Sequence, residues 1–68
     1  MTTEINIGEN IKKRRTKLRL SQEEFAQKSG VKYTTLTKIE TGVIKKPSVL
    51  LMAKIAKALG VSIEELLK

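Results

Sequence analysis

Residues 21–42, SQEEFAQKSGVKYTTLTKIETG, decide the reading of this 68-residue chain. The stretch spells two short helices joined by a tight turn. Leu20-Ser21-Gln22-Glu23-Glu24-Phe25 opens the first: Ser21 can cap the helix, Glu24 can reach back to it, and Leu20 and Phe25 hold the staple positions. Gly30 stands where a helix stops through a left-handed residue, and Val31 can close that cap against Ala26. A second helix is expected over about Tyr33–Glu40, with Leu36 and Ile39 on one face and Gly42 ending it.

The spacing Ala26, Gly30, Leu36, Ile39 is that of a helix-turn-helix, and each position has a steric reason. Ala26 is small, so the second helix can cross closely over the first. Gly30 allows the sharp turn. Leu36 and Ile39, three residues apart, tie the second helix to a core. The alternative is an ordinary helical hairpin in a bundle; the charge pattern argues against it.

Sixty-eight residues allow one domain, 1–68, with a small core. The chain has no cysteine, so neither a disulfide nor a thiolate metal site can staple it. It has no histidine, which removes the usual general base and the commonest metal ligand. No cofactor, metal or small-molecule ligand is expected, and an enzyme is not. No apolar run approaches membrane-spanning length and no secretory signal is visible, so a cytoplasmic protein without a membrane partner is expected. The formal net charge is +7, unevenly placed. Residues 12–46 carry eleven Lys/Arg against three Glu, a balance of +8; residues 1–11 stand at −2 and residues 47–68 at +1. The positive field surrounds the helix-turn-helix, and a polyanion is its natural partner. A basic face kept only for solubility would not need to coincide with this motif.

Around the motif the chain reads as all-α. Residues 1–5 are expected to form a loose arm. Asn6 can cap a first helix, with Glu9 three residues later and Ile7, Ile11 and Leu18 on its inward face. The run Lys12-Lys13-Arg14-Arg15 resembles a nucleic-acid patch in composition, though most of it suits a solvated helix face. Pro47 breaks the pattern after 43–46, and Ser48 caps a fourth helix over Val49–Leu59. Its inward stripe is expected to be Val49, Met52, Ala53, Ala56 and Leu59. After Gly60, Ser62 and Glu65 repeat the capping box, and Val61 can staple to Leu66 over a short fifth helix.

With these residues in place, the sequence resembles the Cro/cI-type, or XRE, DNA-binding domains over about residues 6–67. The resemblance rests on Leu20-Ser21-Gln22-Glu23-Glu24-Phe25-Ala26, Gly30-Val31, Leu36-Thr37-Lys38-Ile39-Glu40-Thr41-Gly42, Lys46-Pro47-Ser48, and Ile55-Ala56-Lys57-Ala58-Leu59-Gly60-Val61-Ser62. It implies a compact five-helix, lambda-repressor-like domain whose third helix enters the major groove of double-stranded DNA, usually as a homodimer on a two-fold operator. One departure stands out. The family usually has Ser or Thr where this chain has Lys32, which cannot accept a hydrogen bond from free helix N–H groups. Either a DNA phosphate occupies that end in a complex, or the lysine points into solvent.

Site residues follow as expectations. Tyr33, Thr34, Thr37 and Lys38 face outward near the start of the third helix and suit base contacts: lysine donates to guanine, and threonine bonds bases or touches a thymine methyl. Gln22, Lys32, Lys45 and Lys46 suit phosphate contacts. Glu40 opposes the dipole in the last turn of its helix and needs a cation; the resemblance supplies Arg15 as a structural ion-pair partner. Leu50, Leu51, Ile63 and Leu67, in the nearly neutral C-terminal third, suit a dimer interface. The rival reading is a protein-interaction module of the same fold, such as an antitoxin or partner subunit. The groove-compatible Thr, Lys and Tyr on helix three distinguish the two.

Overall fold

A computed structural model describes residues 6–68; the arm expected at residues 1–5 lies outside the described residues. Five helices follow one another: α1 Ile7–Lys17, α2 Gln22–Ser29, α3 Tyr33–Glu40, α4 Val49–Leu59 and α5 Ile63–Leu66. Each boundary has a local chemical cause. Asn6, Ser21, Ser48 and Ser62 each accept the N–H of the residue three places on, at 3.0, 3.0, 3.2 and 3.3 Å. At α2 the box is complete, since the Ser21 N–H also donates to Glu24 Oε1 at 2.8 Å. The expected return bond from Glu65 does not form; its carboxylate lies 3.3 Å from Arg14 of α1 instead. Gly30 ends α2 in the left-handed region at φ +76°, where a side chain would be strained.

The turn between α1 and α2 departs from this economy. Arg19 takes φ +59°, the one non-glycine residue at positive φ among the described residues. Its N–H donates to the Thr16 carbonyl at 3.0 Å and that of Leu20 to Arg15 at 3.3 Å, the bond pattern of a Schellman ending with arginine where glycine is usual. Leu18, expected inward, is therefore the cap residue and is 46% exposed.

The helices close over one core. Ile11, Phe25, Leu36, Ile55 and Leu66 are fully buried, with Val31, Ile39, Met52, Ala56 and Leu59 nearly so. α3 packs across both α1 and α2, while α4 braces α2 and α5. The inward stripe of α4 corrects the sequence expectation. It consists of Met52, Ile55, Ala56 and Leu59; Val49 is 78% exposed and Ala53 also faces out. The apolar run Val49–Ala53 gave no polar face to fix the phase, and packing rotated the helix. Ala26 of α2 is buried.

Candidate nucleic-acid interface

The position of α3 is set by what it buries. Leu36 and Ile39 point into the core. Gly8 of α1 lets the end of α3 come close: a Cβ there would run into the Ile39 carbonyl oxygen and press on the Glu40 backbone. Nothing in the sequence marks Gly8, because its contacts with Ile39 and Glu40 lie 31 and 32 residues away along the chain and only the folded backbone reveals them.

Below that approach lies the one buried charge pair of the described residues. Arg15 Nε donates to Glu40 Oε2 at 2.8 Å and Nη2 donates to Glu40 Oε1 at 3.0 Å, the two-bond fork that guanidinium geometry favours. Arg15 Nη1 also donates to the Leu20 carbonyl at 2.7 Å, and Gln22 Nε2 donates to Glu40 Oε1 at 3.0 Å. Burying a charge is costly unless it is paired and hydrogen-bonded. Here no buried side-chain polar atom lacks a partner among the described residues. The network joins α1, the α1–α2 turn, α2 and α3, so the angle of α3 to the frame is fixed by polar as well as apolar contacts. Gln22, expected on phosphate, is half-buried with one amide N–H on Glu40. That leaves the other N–H, and the carbonyl, without a partner among the described residues.

The outer side of α3 is of a different kind. Tyr33, Thr34 and Lys38 are exposed, and Thr37 is half-buried. The Thr37 hydroxyl donates to the Thr34 carbonyl at 2.8 Å, so its proton is committed while its oxygen and methyl stay presentable. Tyr33 lines a shallow depression with Glu23, Ala26, Gln27 and Val31, placing its ring beside the turn at the end of the row. Lys32 is the N-cap of α3 and makes no capping bond. Its φ −59° and ψ 140° nonetheless resemble those of the serine caps. The first N–H groups of α3, at Tyr33, Thr34 and Thr35, find no protein acceptor among the described residues. Beyond α3, the exposed Lys45 and Lys46 line a cleft of about 300 Å³ with Asn6, Gly8, Ile39 and Ile44. The site therefore presents a polar helix face with an unfilled N-terminus, flanked by lysines at both ends.

The residues proposed for an interface between copies divide in two. Leu50 is 67% exposed and Leu67 is exposed as well. Leu51 and Ile63 are half-buried and pack against the core. Val49 and Ala53, expected inside, share the open face with Leu50.

This arrangement has close counterparts. A structure of SinR, described as the master regulator for biofilm formation and solved in complex with DNA, superposes with a TM-score of 0.88 at 35% identity, over 91% of this chain and 98% of that one. The restriction-modification controller protein C.AhdI from Aeromonas hydrophila superposes at 0.84 with 31% identity, over 91% and 92%. A family model described as helix-turn-helix matches residues 11–66. The chain belongs to the helix-turn-helix family, of the Cro/cI type.

Proposed function

We propose that this protein is a transcription regulator that binds double-stranded DNA, with α3 in the major groove. The observation that carries the reading is the outward face of α3: Thr34, Thr37 and Lys38 stand on a helix locked at its back by Leu36, Ile39 and the Arg15–Glu40 pair, with its N-terminus unfilled by any side chain. Lys38 donates to guanine O6 or N7, and the threonines bond base edges or meet a thymine methyl. Tyr33 stacks or donates at the end of the row. Lys32, Lys45, Lys46 and the remaining amide N–H of Gln22 hold phosphates and set the register. SinR, solved with DNA, is the similar protein that supports this use of the fold.

Binding as a dimer on a two-fold operator completes the reading. One domain reads few base pairs, and two half-sites a helical turn apart lie about 34 Å from centre to centre. The exposed Val49, Leu50, Ala53 and Leu67 offer the apolar surface for such a pair. No helix among the described residues is long and apolar enough to cross a membrane.

The test is a salt titration of binding to duplex DNA. The logarithm of affinity should fall linearly with the logarithm of salt, by about 0.9 for each phosphate neutralised. Lys45→Ala with Lys46→Ala should weaken binding to all sequences and flatten the slope. Association independent of salt would refute the assignment. Sedimentation of the free protein tests the dimer: Leu50→Glu should dissociate it, and a parent that is monomeric at high concentration would exclude it.

A further inference from the structure

The basic run on α1 is only partly absorbed by the α3 site. Arg15 is committed to Glu40, but Lys13, Arg14 and Lys17 lie elsewhere. At about 100° per residue, Asn10, Lys13, Arg14 and Lys17 share one side of α1, about 160° round the helix from Gly8 and Arg15, which meet α3. They therefore face away from a duplex held by α3. On that side α1 and α5 border a cleft of about 430 Å³, lined by Asn10, Lys13, Arg14, Lys17, Glu65 and Lys68. Asn10 ties the two helices together, its amide donating to the Leu66 and Lys68 carbonyls at 2.8 and 3.2 Å. Lys13, Lys17 and Lys68 have no acidic partner among the described residues. The dipole of α1 favours Lys17 in its last turn, but Lys13 stands before that turn.

What already sits in the cleft says what it takes. The Glu65 carboxylate lies 3.3 Å from Arg14 Nη2, and both side chains are more than a third exposed, so the pair is weak and readily exchanged. Glu65 also has a second seat. Ser62 caps α5 through its hydroxyl, yet its own N–H finds no protein acceptor among the described residues. At α2 the corresponding Glu24 accepts the Ser21 N–H. A carboxylate arriving on Arg14 releases Glu65 to complete the same box at Ser62, so no ion pair is lost and α5 gains a cap bond. We propose that this cleft binds an acidic segment of a partner protein, one carboxylate on Arg14 and others on Lys13, Lys17 and Lys68. A cleft of this size admits side chains, whereas a duplex offers a convex rod of phosphates. The site is separate from the α3 face and does not depend on the function proposed for it.

A labelled hexaglutamate peptide tests this on the full chain, with hexaglutamine as control, fluorescence anisotropy giving the affinity and amide chemical shifts the place. Hexaglutamate should move the amides of Lys13, Arg14, Lys17 and Ser62 and leave those of Thr34 and Lys38 unmoved. Lys13→Glu with Lys17→Glu should weaken binding about tenfold, whereas Lys54→Glu with Lys57→Glu, an equal change in net charge, should weaken it about twofold. All four lysines are exposed, so both variants should melt as the parent does. Glu65→Gln should tighten binding about threefold, because Arg14 is freed. Shifts confined to α3 and residues 43–46, equal losses in the two double variants, or a Glu65→Gln variant that binds as the parent does would each overturn the proposal. Duplex DNA that moves the cleft amides as strongly as hexaglutamate would make this a nucleic-acid face and overturn it too.

Discussion

The two helices of the motif are equal in length and opposite in finish. α2 is closed at its start: Ser21 and Glu24 satisfy each other's backbone N–H, and Gly30 turns the chain out of its end. α3 is open at its start: Lys32 sits in cap geometry and caps nothing. Every other helix among the described residues has a side-chain oxygen at that position. Both are anchored inward by comparable apolar residues, Phe25 and Ala26 on one, Leu36 and Ile39 on the other. The difference is therefore not one of packing. At the start of α2 a side-chain oxygen accepts the Glu24 N–H and the helix serves as frame, whereas at the start of α3 no side chain accepts any of the first N–H groups. A fold can give up local stability at the element that meets a ligand and recover it from the elements around it.

The largest effects test the shared part, the anchoring. Arg15→Ala leaves Glu40 charged, buried and without its fork, and should cost about 3–5 kcal/mol. Leu36→Ala should cost about 2–5 kcal/mol through the cavity it opens. Either loss is comparable with the whole stability of a small domain, about 5 kcal/mol at the low end. Urea unfolding monitored by circular dichroism reads both. If Arg15→Ala unfolds at the same midpoint as the parent, the clamp does not hold α3.

Smaller effects test the difference itself. Ser21→Ala should destabilise by about 1 kcal/mol, because α2 loses its cap. Lys32→Ser should do the reverse and stabilise by about 0.5–1 kcal/mol, since a serine in that backbone geometry can accept the free N–H groups and removes a cation from the positive end of the helix. The same change should weaken DNA binding. A Lys32→Ser variant no more stable than the parent would show that α3 is not open in the sense described. The smallest effect is on pH dependence. Bonds from the Ser21 N–H, first, and from the Ser21 hydroxyl hold the Glu24 carboxyl below its ordinary range. A lowered folded value contributes stability above the ordinary carboxylate range, and that contribution is lost as pH falls through the folded value. Glu24→Gln should thus melt lower than the parent at neutral pH, with the gap closing in acid.

The same contrast explains what could be read from sequence. Caps act over three residues, so Asn6, Ser21, Ser48 and Ser62 fixed the helix starts at sight, and the missing cap at Lys32 was equally visible. The helix-turn-helix spacing placed Leu36 and Ile39 inside for the same local reason. Contacts between distant segments were not legible. Gly8 beneath Ile39, Gln22 turned back onto Glu40, and Glu65 drawn from its own cap to Arg14 each depend on how helices meet. The phase of α4 failed on a third ground: Val49, Leu50, Leu51, Met52 and Ala53 are all apolar, so periodicity had no contrast to work with. Arg19 shows a further limit, since nothing in its neighbours announces a left-handed arginine.

The central claim is that the open, polar face of α3 reads base edges. It is tested most directly by measuring the affinity of the parent, Lys38→Ala and Thr34→Ala for a duplex selected from a random library and for unselected duplex. Both side chains are exposed, so the variants should fold as the parent does. Each should lose about 1–3 kcal/mol on the selected site and little on random DNA. Variants that keep the parent's preference for the selected site would contradict the assignment of α3 as the reading helix.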